Sequence, residues 1–63
     1  MTIYCNGKYV GTIFDSGITA AKEWIKNKAR IGTHIGEWFE TTTGYEYTTT
    51  VGQYYEFVRS EII

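Results

Sequence analysis

A nucleophile beside a base is the first chemistry to look for, and the chain offers one pair: Cys5 and His34, its only cysteine and only histidine. Thiolate attack needs an imidazole within hydrogen-bond reach of the sulfur and a third group that orients the ring. Cys5, however, falls on the apolar face of a predicted hairpin, where a thiol is ordinary packing material. His34 falls at a helix–strand junction and reads as a boundary residue. Glu37 and Glu40 stand three apart on a predicted strand, so they point to opposite faces and do not share a proton. One thiol and one imidazole are too few for a Cys- or His-based zinc site. Neither GxGxxG nor GxxxxGK[ST], the glycine-rich phosphate cradles, occurs. This inventory argues for a chain that is not an enzyme and that uses no metal, cofactor or small-molecule substrate.

The elements that carry these residues can be placed from pattern. Asn6-Gly7 is a strong signal for a two-residue type I′ turn, and it joins a strand over Thr2–Cys5 to one over Lys8–Phe14. Regular pairing sets Cys5 opposite Lys8, Tyr4 opposite Tyr9 and Ile3 opposite Val10. One face then holds Met1, Ile3, Cys5, Val10, Thr12 and Phe14, and this is the predicted core face. Thr2, Tyr4, Tyr9, Gly11 and Ile13 make the other. Asp15 and Ser16 are good helix N-caps, and Gly17 eases the change of direction. Ile18–Ala29 has helical periodicity, with Ile18, Ala21, Ile25 and Ala29 on one stripe and Trp24 and Ala20 beside it. Gly32 suits a left-handed helix stop.

The second half reads as strand: His34–Thr41, a turn at Thr42-Thr43-Gly44, then Tyr45–Val51 with clean alternation. Tyr54–Ile63 fits either a strand or a helical stripe, and its β-branched and aromatic residues favour strand. The expected fold is α+β, in the order β-β-α-β-β-β: a single antiparallel sheet with one helix packed on one face. Sixty-three residues suit a single domain spanning 1–63. With no internal disulfide available, a core this small gains stability from dense packing or from homodimerisation.

Charge and aromatics bear on partners. Through Gly32, Lys8, Lys22, Lys26, Lys28 and Arg30 stand against Asp15 and Glu23, a balance of +3 within a net charge of −1. From Thr33 onward Arg59 stands against Glu37, Glu40, Glu46, Glu56 and Glu61, a balance of −4. Aromatic residues make up 17% of the chain, more than one short helix can cover. An exposed aromatic sheet face is therefore expected, with Trp38, Tyr45, Tyr47 and Tyr54 as its partner contacts. Such residues dominate protein interfaces, so the leading expectation is a protein-binding domain, the partner being another protein or a second copy. Proline-free chains of this size are typical of phage and mobile-element accessory proteins, many of which inhibit a host protein by occlusion; that analogy adds an inhibitory role.

The alternative is a nucleic-acid-binding module, with Lys22, Lys26 and Arg30 on one helix edge holding phosphates and sheet aromatics stacking bases. The glutamates on the aromatic strands weigh against it. A lone cysteine and the absence of a signal-like or membrane-spanning apolar run point to a cytoplasmic setting with no membrane partner.

Overall fold

The computed structural model describes residues 1–30 and 35–59. They form one antiparallel five-stranded sheet and one helix of 12 residues, the expected α+β arrangement. The strands are β1 (Thr2–Cys5), β2 (Lys8–Thr12), β3 (Gly36–Glu40), β4 (Gly44–Thr49) and β5 (Tyr54–Val58), and the sheet order is β2-β1-β5-β4-β3. Tyr54–Val58 is thus strand, pairing with both β1 and β4. Helix α1 (Ile18–Trp24) runs on through a π-helical stretch, Ile25–Ala29. None of the described helix is long and apolar enough to cross a membrane.

The helix connects the two edge strands and covers one sheet face. Its predicted stripe is the one used: Ala21 and Ile25 are fully buried, with Ile18, Trp24 and Ala29 packed alongside. Beneath it lie Ile3, Tyr47, Tyr55 and Phe57. Trp24 meets Tyr55 and Phe57 edge-on, with ring centroids 6.2 and 6.1 Å away, and Trp38 stacks on Tyr47 at 4.5 Å. Aromatic pairs in these geometries add about 0.5–1.5 kcal/mol each beyond the area they bury. That matters in a sheet roofed by so short a helix.

Two local expectations are corrected. Asn6 and Gly7 take positive φ, as a type I′ turn requires, and Cys5 and Tyr4 pair as predicted. The register then slips: Ile3 faces Gly11, and Val10 is left as a bulge. The bulge reverses the faces of the residues after it, so Gly11 and Ile13 turn toward the helix. Val10, Thr12 and Phe14 turn away, and Phe14 is wholly exposed. Packing against the helix accompanies the shift: the Trp24 ring sits close over Gly11, 3.2 Å from where a Cβ would stand. A bulge also spoils β2 as a template for edge-to-edge pairing.

At the helix start, Gly17 is the cap residue, and Asp15 accepts the Gly17 N–H at 2.9 Å instead of capping the helix. At its end, Arg30 is the left-handed residue, with φ 59°. Gly32, the expected stop, lies outside the described residues.

Candidate functional site

Register fixes which side chains share each face. Toward the helix run two rows across the strands: Trp38, Tyr47, Tyr55, Cys5, Lys8, and Glu40, Tyr45, Phe57, Ile3, Gly11. On the opposite face the central row is Phe39, Glu46, Glu56, Tyr4, Tyr9, one residue from every strand. Beside it lie Glu37, Thr48 and Tyr54. No described helix covers this second face, the open face of the sheet.

The expected contact set is therefore divided. Tyr47 is 0% exposed and belongs to the core. Trp38 and Tyr45 are partly buried and pack against that core, on the same helix-covered side. Tyr54 alone of the four lies on the open face, where Tyr4, Tyr9 and Phe39 join it. Tyr9 and Phe39 are 59% and 50% exposed, and Tyr4 meets Tyr9 edge-on at 6.4 Å. Along their strands Tyr54 is in phase with Glu56 and Phe39 with Glu37, but Glu40 accompanies Trp38 on the covered side in the same way, so the glutamates of β3 do not tell its two faces apart.

Two glutamates, Glu46 and Glu56, are directly opposed on neighbouring strands at the centre of the open face, both half-buried. Like charges so placed are destabilising. Interaction of the Tyr54 hydroxyl with the Glu46 carboxylate, then burial and the negative charge of the pair, pushes Tyr54 up to about 12. On the covered face, burial followed by the Cys5 contact pushes Tyr55 up to about 12. Burial raises Tyr47 as well, partly offset by a backbone hydrogen bond at Ile35.

Each of these phenols has a folded-state pKa above its unfolded value near 10. The stability they contribute is complete below pH 10 and is lost as pH rises through the folded-state values. Tyrosinate absorbance should accordingly show late ionisation near pH 12 for Tyr54 and Tyr55. Chemical denaturation midpoints should fall steadily above about pH 10; midpoints that stay flat through the tyrosine titration would contradict these environments.

Cations are distributed very differently. Lys22, Lys26, Lys28 and Arg30 are carried by the helix and its end, behind the sheet as seen from the open face. Two cations on the covered side lie over rings: the Lys22 ammonium is 6.0 Å from the centre of the Trp38 ring, and the Arg59 guanidinium is 5.1 Å from that of Tyr45. Arg59 also approaches Glu40 at 3.7 Å, the only ion pair among the described residues. The charge asymmetry of the sequence is thus an asymmetry between two layers.

Catalytic groupings are sparse. Cys5 is half-buried opposite Tyr55, and the base it would need, His34, lies outside the described residues. Among the described residues no three His, Cys, Asp or Glu side chains converge. A mainly apolar hollow at the N-terminal end is lined by Met1, Ile13, Phe14 and Arg59 among others. The α-amino group of Met1 donates to the carbonyls of Ile13 and Asp15, tying the chain start to the end of β2. In comparison with known proteins, the chain matches no family model, and no curated protein and no solved structure is significantly similar to it.

Proposed function

We propose that this chain is a non-catalytic protein-binding domain that docks through its open sheet face, with Tyr4, Tyr9, Phe39 and Tyr54 as the apolar contacts. One observation carries the reading: a row of side chains crosses all five strands with aromatics at both ends, and no described element covers it. Exposed aromatics on a rigid sheet give a large contact area at small cost in side-chain entropy, which is why they dominate interface energetics. A face of this kind acts on its partner by steric occlusion, in keeping with an inhibitory or accessory role.

Nucleic acid is less well supported. The uncovered aromatics are set among Glu37, Glu46 and Glu56, whereas the cations of the helix stand on the opposite layer. Base stacking and phosphate contacts therefore do not fall on one surface.

Capture from a lysate of the native host tests the proposal. Phe39→Ser combined with Tyr9→Ala should leave the circular dichroism spectrum unchanged and remove the proteins retained by the wild type. A folded double variant that retains the same proteins would overturn the reading.

A further inference from the structure

We infer that the partner presents a basic segment to the open face, with an arginine side chain entering between Glu46 and Glu56 and lying along Tyr4 or Phe39. This inference rests on the open face being the docking surface, and it specifies the chemistry of what docks.

The covered face supplies a template for it. Glu40 and Tyr45 are cross-strand neighbours, and Arg59 of the same chain satisfies both, its guanidinium 5.1 Å over the ring and 3.7 Å from the carboxylate. The open face repeats that pairing twice, as Glu56 beside Tyr4 and Glu46 beside Phe39. Here no Lys or Arg among the described residues lies within ion-pair distance of Glu37, Glu46 or Glu56. The two glutamates also oppose one another at half-burial, an arrangement that a guanidinium relieves by bridging both carboxylates. Aromatic rings on either side offer cation–π contact to the head group and apolar cover to its methylene stem. A planar, weakly hydrated guanidinium suits such a site better than an ammonium.

The test uses a peptide of alternating arginine and glycine, and its counterpart with neutral citrulline in place of arginine. Both are titrated into the full chain while backbone amide shifts are followed. The arginine peptide should shift the amides of Tyr4, Phe39, Glu46 and Glu56 and bind at least about tenfold more tightly than the citrulline peptide, a difference of about 1.4 kcal/mol. Raising the salt should weaken it. Glu46→Gln with Glu56→Gln should abolish the preference, and this variant should melt no lower than the wild type because it removes a like-charge contact.

Equal affinity for the two peptides, or shifts confined to the helix, overturns the inference. If both peptides bind equally and Phe39→Ser with Tyr4→Ala removes both, the face docks proteins without selecting charge; the proposed function then stands and only this inference falls. If neither peptide touches the face and lysate capture survives Phe39→Ser with Tyr9→Ala, both fall. Light scattering that shows a dimer broken by Phe39→Ser with Tyr9→Ala but untouched by Lys26→Gln with Arg30→Gln would assign the face to an uncharged contact with a second copy and overturn the inference.

Discussion

Gly44→Ala should abolish cooperative folding. A Cβ added at Gly44 stands 1.7 Å from the Phe57 carbonyl oxygen and 2.9 Å from its carbon. Both are backbone atoms of β5, so no rotamer change relieves the overlap. Gly44 faces Val58 in the β4–β5 ladder, and the Thr41 N–H donates to the Gly44 carbonyl at 2.8 Å. Making room means separating the two strands or slipping their register by one residue. A one-residue slip would turn Tyr45 and Tyr47 out of the core. Overpacking of side chains usually costs about 1–3 kcal/mol, and a backbone overlap of this depth exceeds that range. A chain of this length holds roughly 3–9 kcal/mol of stability in all. Gly52→Ala is the control: nothing lies within 4 Å of its added Cβ, and φ is +94°, so it should lose only about 1 kcal/mol through backbone strain. Thermal melts followed by near-ultraviolet circular dichroism would separate the two. A sigmoidal melt for Gly44→Ala near the wild-type midpoint would show that β4 and β5 do not approach so closely.

Local patterns made most of the architecture readable in advance. The Asn6-Gly7 turn has one good solution, and it fixes the pairing of Tyr4 and Cys5. The stripe of Ile18, Ala21, Ile25 and Ala29 announces a helix and the side it buries. Tyr45 and Tyr47 share a face because strand periodicity is two. What local pattern could not supply is the relation between elements distant in the chain. The bulge at Val10 turns Gly11 toward the Trp24 indole, well along the helix, where the fit is close. The choice between the two sheet faces depends on Phe57 and Ile3, which meet only when the first and last strands pair. Tyrosine suits either side of such a choice, since its ring can be buried while its hydroxyl reaches a partner. Glutamate is a partial guide: Glu56 is in phase with Tyr54 on the open face, whereas β3 has Glu37 in phase with Phe39 and Glu40 in phase with Trp38, so that strand's faces are told apart only by its register with β4.

Tyr47→Ala and Phe57→Ala should unfold the protein, whereas Phe39→Ser should hardly alter its stability. Tyr47 is 0% exposed and Phe57 1%, and each is held by stacked or tilted contact with Trp38, at 4.5 and 5.6 Å. Removing either ring loses its transfer free energy and leaves a cavity between helix and sheet. For buried aromatics this costs about 3–5 kcal/mol, comparable to the roughly 3–9 kcal/mol expected for the whole domain. Phe39 is half exposed, and a surface substitution of that kind stays within about 0.5 kcal/mol. Denaturant midpoints for the three variants would measure the contrast directly. It also decides how binding data can be read: a loss of partner capture on substituting Tyr47 or Trp38 would report unfolding, whereas the same loss in a folded Phe39 or Tyr9 variant locates the interface on the open face. If Phe39→Ser proved as damaging as Phe57→Ala, the open face would be covered in the folded protein, and the docking proposal would lose its surface.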